Sequence, residues 1–194
     1  MIIFGLTGTA GSGKDTIADI LCEMFGMENL STSDLVRAVT RYIYRQPQEF
    51  SPIRDQLFEV ANFMRSLNPA TTVELCLLQA KELKVEIALI TGLRTIGEAD
   101  AIRNAGGRII GIDAEVRTRY DRITARNRDA EALKTFSEFA KQDAYENDGL
   151  SKEGAGRGIR SVIDSAEILI DNSGSLDELK HELDNEVGPY LEGK

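Results

Sequence analysis

The sequence is poor in the residues that build metal centres and covalent staples: 194 residues hold two cysteines and one histidine. Cys22 and Cys76 fit neither a metal-ligand spacing nor the disulfide framework of a small secreted domain, and both sit in apolar helical patterns, so they read as small buried hydrophobes. His181 lies in a charged C-terminal stretch and reads as a solvated helix residue. There is no long apolar run and no basic segment ahead of the opening MIIFGLTG, so neither a membrane span nor a signal peptide is expected, and a cytoplasmic location follows. Internal repeats and low-complexity tracts are missing too. Positive charge is the scarcer sign. Lysine and arginine number 23 against 32 acids, for a net charge of −9. Such a surface repels a phosphate backbone, which disfavours a nucleic-acid polymer as partner but leaves room for one local basic cleft.

What is present alternates. Apolar runs at 2–7, 28–32, 86–91, 108–112 and 168–170 read as strands. Helical spacing appears at 14–25, 33–44, 53–67, 71–83, 96–105, 115–126 and 176–187. Strands alternating with helices predict one α/β domain over 1–194, with a five-stranded parallel sheet covered on both faces. The segment 53–67 has no strand before it and is bracketed by Pro47, Pro52 and Pro69, so the region 33–70 reads as an insertion. The stretch 127–160 is polar, with glycines at 149, 154, 156 and 158, and its 127–158 part reads as a lid.

The strongest local signal is Gly8-Thr9-Ala10-Gly11-Ser12-Gly13-Lys14-Asp15-Thr16. It follows a strand and opens a helix, which is the context a phosphate-binding loop requires. Glycines let the loop curl so that successive N–H groups converge on an anion. The helix N-terminus adds partial positive charge, and Lys14 reaches the terminal phosphates. The residue after the lysine is Asp15 rather than a hydroxyl, which arrives one place later at Thr16. Asp15 reads either as a partner of the helix dipole or, through water, as a magnesium holder; Thr16 is a second candidate for the metal.

The order of motifs resembles the P-loop nucleoside monophosphate kinases. Gly-Lys-Asp-Thr is similar to their Gly-Lys-Gly-Thr variant. Leu30 to Ala38 resembles the adenylate kinase segment Ser-Thr-Gly-Asp, two apolar residues, then Arg, which implies that Asp34 and Arg37 face the acceptor and that Arg37 binds its phosphate. Gly92-Leu93-Arg94-Thr95 looks like the family's Asp-Gly-Phe-Pro-Arg-Thr without its proline, making Arg94 the second acceptor-phosphate arginine and a catalytic one. Asp121 to Arg126 resembles the approach to the adenylate kinase lid, which implies that Arg122 packs by the ATP base and Arg126 reaches its phosphates. Ile170 to Leu176, including Asn172, resembles the last strand and adenine-side loop of dephospho-CoA kinases. The pattern is also similar to small uncharacterised nucleotide-kinase-like proteins.

The resemblance implies a three-layer P-loop fold, Mg²⁺ as cofactor, and ATP plus a small phosphorylated acceptor as partners. Independently, arginines at 37, 94, 122 and 126 inside an acidic chain suit phosphoryl transfer, which needs alignment and charge neutralisation more than covalent help. Arg157 and Arg160 are further candidate donors. One departure concerns the metal: Thr91 stands where the family ends its third strand with an acid. Asp34, Asp15 and Asp113 are then the candidate carboxylates, with Asp34 favoured. Expected activities are a kinase of a nucleoside or deoxynucleoside monophosphate, a dephospho-CoA kinase-like enzyme, or an ATP-binding regulator without catalysis.

Overall fold

In the computed structural model, which describes residues 1–50, 52–125, 135–147 and 158–191, five parallel strands lie in the order β2-β3-β1-β4-β5. The strands are β1 (Ile2–Gly8), β2 (Glu28–Ser31), β3 (Ile87–Thr91), β4 (Arg108–Asp113) and β5 (Ile168–Asp171). The helices are α1 (Lys14–Phe25), α2 (Thr32–Ile43), α3 (Arg54–Leu67), α4 (Thr71–Glu82), α5 (Ile96–Asn104), α6 (Val116–Ala125), α7 (Phe136–Asn147), α8 (Ile159–Asp164) and α9 (Leu176–Val187). Strand positions agree with the sequence expectation to within a residue or two. Within the polar stretch 127–160, α7 and the first turn of α8 are elements that the sequence reading did not separate.

Period-two alternation sends β1 side chains to two cores. Phe4 and Leu6 join Ile17, Leu21, Leu179 and Leu183 under α1 and α9. Ile3 joins Val73, Cys76, Leu77, Ala99 and Ile102 under α4 and α5. Gly5 is set by crowding: a Cβ there would lie 2.9 Å from both Ile109 Cδ1 and Leu93 Cδ2. A third, smaller cluster of Val36, Val60 and Met64 joins α2 to α3, giving the insertion its own apolar seam.

β1 sits centrally, hydrogen-bonded to β3 on one side and β4 on the other. Chain connections leave in opposite directions there, and such a point in an open parallel sheet opens a crevice at the carboxyl ends of the strands. The loops after β1, β3, β4 and β5 all emerge at that edge. No helix among the described residues is long and apolar enough to cross a membrane.

Candidate functional site

The loop 8–14 closes β1 and starts α1 by backbone geometry that only glycine takes without strain. Gly13 has φ +90°, and a Cβ there would fall 2.4 Å from Asn172 Nδ2. That amide donates to Ser12 O at 2.7 Å, so the loop after β5 holds the phosphate loop from the side. Gly11, at φ +78°, backs directly on the Arg119 carbonyl, which would lie 2.6 Å from an added Cβ. Ser12 N donates to Thr9 O, and Thr9 Oγ1 donates to Asp113 Oδ1 at 3.3 Å.

Around the loop lies a cavity of about 240 Å³ lined by residues that include Gly8 to Gly11, Gly13, Lys14, Asp15 and Arg94. Lys14 Nζ pairs with Asp15 Oδ1 at 2.6 Å, so the lysine charge is held at the cavity wall. Among the described residues the buried Arg122 Nη1 has no hydrogen-bond partner, and it lies 4.0 Å from the Cβ position of Gly13. A buried guanidinium nitrogen left unmatched beside an N–H-rich loop favours an anion there. Ser12 Oγ is likewise buried and unmatched among the described residues.

The loop after β3 is fixed to the same edge. Gly92 N and Leu93 N both donate to Leu6 O, and Thr7 Oγ1 donates to Leu93 O at 2.9 Å. Thr32 Oγ1 donates to Gly92 O, tying the start of α2 to this turn. Arg94 follows, and its backbone N–H donates to the buried carboxylate of Glu98 at 2.7 Å. A second cavity, of about 230 Å³, is lined by Thr32, Ser33, Val36, Arg37, Leu57, Phe58, Ala61, Arg65 and Arg94. Arg94 therefore lines both cavities.

The remaining candidates are distributed as follows. Arg37 lines the second cavity and its Nη1 donates to Asp34 Oδ1 at 3.1 Å; Asp34 is 74% exposed. Thr16 is exposed in the first turn of α1. Asn172 and Arg122 meet the phosphate loop. Arg126 and Arg157 lie outside the described residues, as does most of the expected lid; the described part of the lid region is residues 135–147 and Gly158. Arg160 pairs with Asp113 and with Asp164, and its hydrogen bond to Asp113 raises its pKa further above the usual arginine range.

Two arginines that the sequence reading did not single out have defined places here. Arg119 is buried; it donates through Nε to Ala114 O and through Nη1 to Ala10 O, the carbonyl within the phosphate loop. Arg65, from α3, lines the second cavity and donates to Glu98. Nothing local in the sequence distinguishes either from a surface helix charge. Glu98 carried a signal, since Thr95-x-x-Glu98 is a capping-box pattern at a helix start, and the structure closes that box.

Thr91 Oγ1 donates to Asn29 Oδ1 at 2.9 Å, so the hydroxyl at the end of β3 is engaged by β2. Among the described residues there is no group of three or more His, Cys, Asp or Glu able to hold a metal ion. Magnesium commonly takes only one or two carboxylates, completing its shell with substrate phosphates and water. Asp15 lies on the cavity wall and is followed in the first turn of α1 by Thr16.

The strand order and the glycine loop between β1 and α1 define a parallel α/β fold with a phosphate-loop motif at the end of its central strand. Solved structures agree on the fold. TT1252 from Thermus thermophilus superposes with a TM-score of 0.63 over 99% of this chain and 98% of that one, at 20% identity. A shikimate kinase from Acinetobacter baumannii, in complex with shikimate, gives 0.56 over 99% and 96%, at 17% identity. A sugar kinase from Janibacter sp. HTCC2649 gives 0.52 over 100% and 99%, at 15% identity. At these identities the likeness is one of fold. No family model matches the chain. A UPF0200 protein from Aeropyrum pernix is 30% identical over 183 residues, covering 93% of this chain and 89% of that protein. The chain belongs to the UPF0200 protein family.

Proposed function

We propose that this protein is a small-molecule kinase that moves the terminal phosphoryl group of ATP onto a small phosphorylated acceptor, a nucleoside or deoxynucleoside monophosphate being the leading class. The observation that carries the reading is Arg94, which borders the phosphate-loop cavity and the neighbouring arginine-lined cavity at once. A phosphoryl group in flight passes between two anions, and a guanidinium that reaches both would offset charge on each.

In this reading the loop N–H groups and Lys14 take the donor phosphates. Binding of phosphate would draw Lys14 away from Asp15 and release that carboxylate toward Mg²⁺. Asp15 and Thr16 would hold the ion, directly or through water, and the ion would neutralise charge on the bridging phosphate oxygens. Arg37 takes the acceptor phosphate, with Val36, Leu57, Phe58 and Ala61 offering an apolar wall to the rest of the acceptor. Shikimate kinase and sugar kinase neighbours support kinase chemistry in this fold without pointing to one acceptor.

A second reading, an ATP-binding regulator without catalysis, is favoured by one feature: Thr91, bonded to Asn29, occupies the place of a metal-orienting acid. ADP release from Mg-ATP across NMPs, dNMPs and dephospho-CoA, with Lys14→Ala as control, separates the two. Acceptor-dependent ADP that disappears in the variant supports the kinase and names its substrate class. Tight Mg-ATP binding with no acceptor-dependent turnover favours the regulator.

A further inference from the structure

The second cavity holds an arginine from each of three segments: Arg37 from α2, Arg65 from α3 and Arg94 from the loop after β3. Two of these converge on one carboxylate. Glu98 is 0% exposed; its Oε2 accepts the backbone N–H groups of Arg94 at 2.7 Å and Thr95 at 3.1 Å. Its Oε1 accepts Thr72 Oγ1 at 2.9 Å and Arg65 Nε at 3.3 Å. The Arg65 side chain is 8% exposed, yet it lines the cavity. A capping box needs only the Oε2 half of this arrangement; the Oε1 half fixes a guanidinium that comes from another helix.

We propose that Arg65 is a third acceptor-binding arginine and that Glu98 is its positioning residue. One carboxylate thereby sets both the Arg65 side chain and the Arg94 main chain for a phosphate monoester. This rests on reading the second cavity as the acceptor site. The contact through Nε uses the side of the fork nearest the chain, leaving the paired terminal amino groups for the bidentate grip that guanidinium gives phosphate. Counting the carboxylates paired with them, Glu98 on Arg65 and Asp34 on Arg37, the three arginines leave the cavity one positive charge in excess, which favours an anion there. Fixing Arg65 before the ligand arrives also removes the rotamer entropy that a free arginine loses on binding.

The probe is inorganic phosphate, titrated by calorimetry into protein whose loop cavity is filled with a non-hydrolysable ATP analogue and Mg²⁺. Arg65→Met raises the phosphate dissociation constant by about 10- to 100-fold, the weight of a hydrogen bond to a charged group, while the analogue binds as before. Arg65→Lys, which keeps the charge but not the fork, falls between. Glu98→Gln is the informative partner. Gln still serves a capping box, with its amide oxygen toward Arg94 N, but its NH₂ then opposes Arg65 Nε, donor against donor. It therefore weakens phosphate binding too, and Arg65→Met with Glu98→Gln together is no worse than Arg65→Met alone. The double variant also leaves no unpaired buried charge, so if Arg65→Met alone does not fold, the double variant compared with Glu98→Gln carries the test.

Phosphate binding in folded Arg65→Met equal to wild type overturns the proposal and leaves Arg65 as a structural counter-ion of Glu98. Strict additivity of the two substitutions overturns the positioning role. Failure of the analogue to bind is a separate result, because it sinks the kinase reading alone. Phosphate titrated into Lys14→Ala without the analogue then still reads Arg65.

Discussion

Arg119 grips Asp143 with both ends of its fork, Nη1 to Oδ1 at 2.5 Å and Nη2 to Oδ2 at 2.7 Å, while its own carbonyl backs Gly11. The pair is 6% and 10% exposed. It joins α7 to α6, where Tyr120 also packs edge-on against Phe136 at 5.5 Å. The back of the phosphate loop is thus supported by an element more than a hundred residues away in the chain. Breaking a buried pair by removing one partner is costly because the other charge is stranded. Arg119→Met is expected to lose about 3 kcal/mol in urea unfolding and to weaken ATP binding, because Ala10 O and Ala114 O lose their donor together. Equal unfolding midpoints for variant and wild type would contradict this.

A second expectation concerns the loop itself. Gly13→Ala places a methyl group 2.4 Å from Asn172 Nδ2 in a left-handed conformation. The Asn172 amide must move, and Ser12 O then loses its buried donor. Nucleotide affinity should fall at least tenfold, about 1.4 kcal/mol. Asn172→Ala alone should cost stability of about 1 to 3 kcal/mol, the penalty of an unsatisfied buried carbonyl. Calorimetric titration of ATP and thermal melts of both variants check these values.

The thiols supply a chemical test of burial. Desolvation pushes the Cys76 thiol up to about 12, with the nearby Glu98 charge adding to it. Burial, followed by Asp19 and Glu28, also raises Cys22. Thiolate is the reactive form, so neither cysteine should react with a disulfide reagent at pH 8 at the rate of an exposed thiol. Cys76 should label only as the protein opens, so its labelling rate in urea should track unfolding. Fast labelling of Cys76 in buffer would contradict the packing of α4 on the sheet.

Acid sensitivity has a specific contributor in Glu167. Burial pushes its pKa up, but the Arg103 side chain and the Ile109 N–H, at 2.7 Å each, outweigh that and hold it below the usual glutamate range. A carboxylate depressed in the folded state contributes stability above its unfolded pKa, about 4.3. That contribution disappears as pH falls through the lower folded value. Glu167→Gln should therefore be less stable than wild type at pH 7, by about 1 kcal/mol or less for a pair this open to solvent. The gap should narrow as pH drops below about 4. A gap that does not change between pH 7 and pH 3 would assign the effect to packing instead.

How far the sequence carried this picture differs by element. The fold was legible because its signals are local: buried strand runs, and a glycine loop between a strand and a helix. Arg37 and Arg94 stood out because each sits in a short contiguous motif, Leu30 to Ala38 and Gly92 to Thr95, that resembles kinase segments. Arg65 and Arg119 did not, because what distinguishes them is a partner far along the chain, Glu98 at a separation of 33 and Asp143 at 24. A helix arginine facing a buried acid looks, in sequence, like one facing water. The helix α7 was readable in principle. Thr135 and Glu138 form a reciprocal cap at its start, Thr135 N donating to Glu138 Oε2 at 2.8 Å, a Thr-x-x-Glu pattern set in a polar stretch that ends in glycines. Asp34 is the instructive case at the site. Its motif position suggests a metal or acceptor role, and the structure adds a partner in its own helix, Arg37, paired with it at 3.1 Å.

The central claim is that Arg94 acts between donor and acceptor. The direct measurement is single-turnover transfer of labelled γ-phosphate from Mg-ATP to the acceptor that the ADP-release panel selects, in wild type and Arg94→Met. The account predicts that transfer falls by at least about 100-fold, the scale for removing one donor aimed at developing charge, with ATP affinity close to wild type. Transfer by Arg94→Met at the wild-type rate, or Mg-ATP binding with no label reaching any acceptor, would contradict it.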